Sequence, residues 1–415
     1  MNRRELLQLA AVGTTFAMKS ALAAVKDSSP EEVAADEDFW AQIRNEFTID
    51  RSVLNLNNGH MSPSPRIVQE AQRRYNDSTN MGPFHTMVKQ LYPQVETARR
   101  RIAEVAGVDP EEIAITRNSS EALEIAQLGV ELKPGDEVLT TNQDYGRMLT
   151  TFRQRERREG IVLKEISFPV PSPGMDELVR RFEEAITPKT RLILCCHITN
   201  LTGQIFPVKR IAALARAHGI PLIVDGAHAF NHFPFKISDL DCDYYGVSLH
   251  KWAYAPCGTG FLYVRKSRIK ETWALMASDS SQDNNIRKFE AIGTHPASTY
   301  NAIPEAIAFN QNIGIERKAA RLRYLRDRWA NRLGENQKVR IMHSKELDQS
   351  AGIGNIGFEG LDVRKVAEEL QAKYTIFTAP IVHPEFSGIR ITPNIYTEVS
   401  EIDYFSDCVE KILKG

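Results

Sequence analysis

Residues 224–265 read VDGAHAFNHFPFKISDLDCDYYGVSLHKWAYAPCGTGFLYVR. The apolar run Pro221 to Val224 ends in an acid, Asp225, and the run Tyr244 to Val247 ends in Ser248, Leu249, His250 and Lys251. Both runs have the length and composition of short buried strands, each with its polar groups at the C-terminal end. In an open α/β sheet that end is where ligands bind. An acid and a lysine are therefore expected to face one crevice.

A lysine at a dry sheet end can lose its proton and bond to a carbonyl carbon as an imine. A carboxylate nearby can keep a ring nitrogen protonated. Together Lys251 and Asp225 describe a site for pyridoxal 5′-phosphate. Either residue alone reads as an ordinary surface lysine or strand-end acid. What distinguishes the pair is its setting: Asp225 to His228 on one strand end, Ser248 to Lys251 on another, then the Gly258-Thr259-Gly260 turn. Asp225, His228 and His232 also have loosely metal-like spacing, but Lys251 accounts for the same residues without a metal.

The Asp-Gly-Ala-His and Ser-Leu-His-Lys segments resemble the class V aminotransferase family of fold-type I pyridoxal phosphate enzymes, which includes cysteine desulfurases, cystine lyases and isopenicillin N epimerase. The resemblance runs over most of the chain after about residue 50. It implies a mainly parallel, seven-stranded type of sheet between helices, with a smaller α+β C-terminal domain. The expected organisation is a signal over residues 1–24, an N-terminal segment to 60, a large cofactor domain over 61–299 and a small domain over 300–415.

Strand, helix, strand repeats through the middle of the chain and independently argues a parallel sheet covered on both faces. Strands are expected at Ile113 to Thr116, Val138 to Thr141, Ile161 to Phe168 and Arg191 to His197. Helices are expected over 86–106, Met175 to Ile186 and Pro207 to His218. Beyond Tyr300 come a long helix to Leu333, strands near Val339 and Ile353, a helix over Val363 to Lys373, the strand around Arg390 and a last helix from Ser400.

The hydroxyl-rich helix start at Ser119-Ser120 suits a phosphate, and equally a plain cap with Ser as cap residue. The resemblance assigns Ser119 and Ser120 to the cofactor phosphate. It places Tyr145 against the cofactor ring, and Asn200 at its phenolic oxygen with His197 close by. His228 falls at the ring, and Ser248 and His250 beside Lys251. Arg390, in Gly388 to Pro393, is the implied clamp for a substrate carboxylate, bidentate by its fork. Asn57 and Asn58, in the "LNNG" segment Leu56 to Gly59, lie across the mouth. Gly293 and Thr294 resemble an element that reaches the phosphate from a second subunit, which implies a homodimer with shared active sites.

The chain has 415 residues, 42% hydrophobic and 25% charged, with net charge −1. That suits a large soluble protein and disfavours nucleic acid as a partner. Five cysteines without regular spacing give no disulfide framework. The start, MNRRELLQLAAVGTTFAMKSALAA, has Arg3-Arg4, an apolar stretch and Ala21-Leu22-Ala23. This is the layout of a twin-arginine export signal cleaved near Ala23 or Ala24, which implies the Tat machinery, a periplasmic enzyme and no stable membrane anchor. A basic amphipathic helix of the mature protein is the other reading. Residues 25–50 are acidic and expected to pack loosely, apart from Phe39-Trp40.

Loss of a group from the α-carbon of an amino acid leaves charge that a protonated pyridine absorbs. That chemistry does not say which bond breaks; the resemblance implies an aminotransferase or epimerase-like enzyme acting on an amino acid or small peptide. A C–S lyase, or a binding protein that has kept the fold without turnover, is the alternative. A desulfurase needs a persulfide-forming cysteine before the Arg390 strand, and Tyr374 to Ile389 contains none. Cys408 falls in the terminal helix.

Overall fold

The computed structural model describes residues 16–414. Seven strands form the main sheet: β1 (Ile113–Thr116), β2 (Glu137–Thr141), β3 (Val162–Ile166), β4 (Thr190–Cys196), β5 (Leu222–Asp225), β6 (Tyr244–Ser248) and β7 (Gly260–Val264). Their order is β1-β7-β6-β5-β4-β2-β3. β7 runs antiparallel to both neighbours, and the other pairings are parallel.

Alternate residues of each strand feed opposite layers. Ile193, Cys195, Val224, Tyr245 and Val247 pack on one face with the helices Tyr92–Ala106 and Val208–Ala217. Leu192, Leu194, Ile223 and Tyr244 pack on the other with Ser119–Gly129 and Gly146–Glu159. Because both faces are covered, the central strands are apolar throughout.

A second, antiparallel sheet comprises β8 (Val339–Ile341), β9 (Gly354–Phe358), β10 (Ala379–Val382) and β11 (Ser387–Ile391), in the order β10-β11-β9-β8. The helices Ile315–Leu333, Val363–Tyr374 and Val399–Lys414 complete its core. Leu54–Asn55 pairs in parallel with Ile376–Phe377, and Asn57 bridges to Thr392. The Val53–His60 segment thus belongs with the second sheet in space.

The expected strands lie within about two residues of the observed ones. Three expectations need correction. The long helix after Tyr300 is two helices, Ile303–Ile313 and Ile315–Leu333, because Gly314 takes φ +89° between them. The helix over 86–106 is an α-helix only from Tyr92, and Pro83–Leu91 before it is a π-helix. Residues 25–50 are not loose. The helix Pro30–Ala34 carries a complete capping box, Ser29 with Glu32. Trp40 and Ile43 of the next helix, Glu37–Arg44, are buried with Met18 and Val33. Arg3 and Arg4 lie outside the described residues. Ala23 and Ala24 are exposed at the end of the helix Phe16–Ala24. No helix among the described residues is long and apolar enough to cross a membrane.

Candidate active site

β5 and β6 are parallel neighbours, with Asp225 opposite Gly246, so their polar C-terminal ends open on the same edge. Gly226 lets the chain turn there, since a Cβ at that position would lie 1.9 Å from Tyr245 Cε1. The turn brings His228 back over the sheet end. Its Nε2 is 3.1 Å from Lys251 Nζ, and its Nδ1 accepts from the Trp252 indole N–H at 3.4 Å. The acid, the histidine and the lysine expected at one crevice are therefore neighbours.

The surroundings of these groups decide their charge. Burial lowers the Lys251 amine from 10.5 to about 8, with the Arg390 charge adding to the effect and Asp225 opposing it. Burial raises the Asp225 carboxyl from 3.8 to about 6, against the Ala227 N–H and Lys251, which favour the anion. Asp225 Oδ1 accepts the Ala227 N–H at 2.9 Å. Burial, with Lys251 and Arg390 nearby, pushes His228 well below the usual imidazole range, so the ring is neutral.

Arg390 extends from β11 to the same place. A Cβ on Gly59 would lie 3.4 Å from His228 Cε1 and 3.5 Å from Arg390 Cζ, so Gly59 is wedged between the two. Arg390 donates to Asn57 Oδ1 at 2.7 Å and to the Asn200 carbonyl at 3.0 Å. No carboxylate among the described residues pairs with it, and burial lowers it to about 10. Asn58 is corrected from a substrate-binding group to a latch. It is fully buried, its amide donates to the Asn55 and Thr392 carbonyls at 2.9 Å, and its oxygen accepts from Tyr396. No valence remains for a ligand.

At the other end, Ser248 Oγ accepts the Ser119 N–H at 2.9 Å and donates to Ser119 Oγ at 2.8 Å. This ties β6 to the start of the helix Ser119–Gly129. The cap is Asn118 rather than a serine, since its side chain accepts from Glu121 N at 2.9 Å. Ser119 is buried and Ser120 half-buried. Gly260 allows this turn to pass β7, because a Cβ there would lie 2.7 Å from Asn118 Cα. Tyr145, 41% exposed, precedes the helix Gly146–Glu159, on a turn that buried Asp144 pins by accepting from Thr140 and Thr141.

His197 is buried and engaged by neighbouring aromatic side chains. Its Nδ1 lies 2.8 Å from the Tyr245 hydroxyl, and its ring packs on Phe233 and Phe235. His232 has both nitrogens engaged by backbone, Gly352 N at 2.8 Å and His228 O at 2.7 Å, which removes it as a metal ligand. Gly293 and Thr294 are exposed and stand apart from this network. Trp252 and His232 are the members that sequence reasoning missed as a pair. The signal was a tryptophan directly after the lysine, whose indole needs a hydrogen-bond acceptor once buried.

Pyridoxal phosphate can be tested against these residues. The buried atoms Asn200 Oδ1, His250 Nδ1 and Arg390 Nε have no partner among the described residues, and buried polar groups in proteins are normally satisfied. With a depressed lysine, a raised acid and a helix start beside them, the donor set fits an anionic, nitrogen-bearing ring.

Residues 53–379 match the family model for aminotransferase class-V. The chain is 28% identical to isopenicillin N epimerase of Streptomyces clavuligerus over 90% of its length and 98% of that protein. It is also 28% identical to that of Amycolatopsis lactamdurans, over 90% and 99%. The apo structure of cysteine desulfurase from Thermococcus onnurineus NA1 shares the fold, with a TM-score of 0.78 at 23% identity, covering 90% of this chain and 98% of that one. The chain belongs to the class V aminotransferase family, whose cofactor is pyridoxal 5′-phosphate.

Proposed function

We propose that this enzyme acts at the α-carbon or amino group of an amino acid or small peptide, in an aminotransferase or epimerase-like reaction. The observation that carries the reading is one buried space holding a depressed amine, an acid and an unpaired guanidinium: Lys251, Asp225 and Arg390. Bound pyridoxal phosphate supplies an aldehyde for the amine and a pyridine ring that absorbs charge from the α-carbon.

Lys251 is the residue that bonds the cofactor. Asp225, ionised above about pH 6, holds the proton on the ring nitrogen. Ser119, whose N–H is held by Ser248 but whose hydroxyl proton is free, and Ser120, through its helix-start N–H, would hold the phosphate, aided by the dipole. Asn200 and His250, whose buried Oδ1 and Nδ1 atoms have no partner among the described residues, would hydrogen-bond the cofactor, and Tyr145 and His228 would lie against its ring. Arg390, oriented by Asn57, takes the substrate carboxylate, and its unpaired charge makes an anionic substrate group favourable there. After a proton leaves the α-carbon, the neutral Lys251 amine is the group placed to hold it.

Persulfide chemistry lacks a suitable thiol. The hairpin β10–β11 before Arg390 carries no cysteine, and Cys408 is buried in the second core. Cys257 is exposed on the loop after Lys251, but burial of its sulfur raises rather than lowers its pKa.

The exposed Gly293 and Thr294, with Met81, Phe84 and Trp273 also exposed, support a homodimer in which the partner completes the phosphate site. Export by the Tat pathway rests on Arg3-Arg4 and the exposed Ala23 and Ala24. Retention of Arg3→Lys, Arg4→Lys protein in the cytoplasm is the expected outcome, and unaltered export would contradict it. The function itself is tested by incubating holoenzyme with a panel of amino acids and small peptides and identifying products by mass spectrometry. Keto acids or inverted stereocentres are expected. Sulfide or cysteine persulfide released from cysteine or cystine together with pyruvate and ammonia, with no amino-group transfer to an added keto acid and no inversion for any substrate of the panel, would overturn the reading in favour of a C–S lyase.

A further inference from the structure

Trp252 is fully buried and appears in no catalytic motif of this chain, yet its indole points at the histidine that faces Lys251. We propose that Trp252 is a positioning residue that fixes the ring tautomer of His228, so that His228 offers a proton donor, not an acceptor, to the Lys251 amine.

Hydrogen-bond polarity sets the tautomer. An indole N–H can only donate. At 3.4 Å from His228 Nδ1, it requires a lone pair there, because a protonated Nδ1 would set two N–H groups against each other. A neutral imidazole then carries its proton on Nε2. That atom faces Lys251 Nζ at 3.1 Å. An ammonium has three donors and no lone pair, so it cannot complete this contact. A free amine can. His228 therefore selects the nucleophilic form of Lys251.

Trp252 is held so that it cannot turn away. Its ring stacks on His232 with centroids 3.8 Å apart and planes 17° from parallel. His232 is itself fixed: the Gly352 N–H donates to Nε2, so Nδ1 carries the proton and donates to the His228 carbonyl. The Trp252 carbonyl accepts from Lys318, a fully buried lysine that also donates to Asn310 Oδ1 at 2.6 Å and lies 3.8 Å over the Tyr254 ring. Around Lys251 the charged or titratable neighbours are Asp225, Arg390 and Cys196; around His228 they are Lys251, Arg390, His232 and His250. Only Asp225 among them favours the ammonium by its anionic charge at neutral pH, and Arg390 opposes it.

Identification of Lys251 as the cofactor-bonding lysine gives this arrangement its purpose. The test reads the ring and the amine directly, so its failure leaves that identification standing. In full-length cofactor-free protein labelled with 15N-histidine, the His228 resonances are assigned by their loss in His228→Asn. Nδ1 is expected to be unprotonated and Nε2 protonated; a proton on Nδ1 overturns the proposal whether or not any Trp252 variant folds. Trp252→Phe keeps the stacking ring and removes the donor. Its folded protein is expected to admit the Nδ1–H tautomer. Trace acetylation of Lys251, followed by mass spectrometry against pH, is expected to show a more alkaline midpoint. Labelling at a given pH below the midpoint falls about tenfold for each unit of movement. An unchanged tautomer and midpoint in folded Trp252→Phe would also overturn it.

Discussion

The charge on Lys251 can be moved in either direction by its two charged neighbours, and the directions are opposite. Burial and Arg390 bring the amine from 10.5 to about 8, while Asp225 holds its proton on. A shift of that size corresponds to about 3 kcal/mol and to roughly 300-fold more free amine at pH 7 than an ordinary lysine has. Asp225, with its carboxyl at about 6, is already ionised where Lys251 titrates, so its full charge acts on the amine. Arg390→Gln removes a cation and moves the Lys251 midpoint to higher pH. Asp225→Asn removes an anion and moves it lower. A nearby charge typically moves a pKa by roughly one to three units, so each movement is on the order of one to two pH units. Trace acetylation of full-length protein between about pH 6 and 11, with Lys251 quantified by mass spectrometry against a surface lysine, gives the midpoints. A wild-type midpoint near the ordinary lysine value, or movement of both variants in the same direction, would refute the electrostatic account of the site.

Asn58→Ala leaves Tyr396 and the Thr392 carbonyl short of partners. It is expected to cost roughly 2–4 kcal/mol and to expose Val53–His60 to proteolysis, read by thermal unfolding and limited digestion. Ser248→Ala, which unties the Ser119 N–H, weakens pyridoxal phosphate binding by about tenfold in a titration and leaves the Lys251 midpoint in place. Acid sensitivity follows from buried histidines. His197, His232 and His343 are each lowered from 6.5 to about 3 by burial. Their folded values lie below the unfolded one, so the stability they allow is complete above pH 6.5 and is lost as pH falls toward 3. Each loses about 1 kcal/mol as pH falls from about 6.5 to about 5.5. Together they are comparable to a large share of a typical domain's stability, so the melting temperature is expected to fall steeply between pH 6.5 and 5. A flat profile there would contradict their neutral burial.

How much of this was legible in the chain differs by element. Strands buried on both faces announce themselves as apolar runs, and β1, β4, β5 and β6 stand within a residue of where composition puts them. Asp225 was legible as the end of such a run and Lys251 as part of the polar stretch just past one, while His228 and Arg390 were reached through the resemblance of the motifs that hold them. Asn58 was misread because local sequence shows an amide but not that Thr392 and Tyr396, more than three hundred residues on, already hold it. Gly314 was passed over because a helical apolar pattern continues on both sides of it. The packing of residues 25–50 was hidden for a related reason: their charged faces dominate composition, while Val33, Trp40 and Ile43 find partners far along the chain. Trp252 and Lys318 carry no motif. Their roles follow from which atoms they meet, and only the three-dimensional arrangement supplies that.

The central claim is that Lys251, and no other lysine, bonds the cofactor. Holoprotein reduced with borohydride, digested and mapped by mass spectrometry is expected to carry the pyridoxyl group on Lys251, with no label in Lys251→Ala. A label on another lysine of the wild-type protein, such as the fully buried Lys318, would contradict the account.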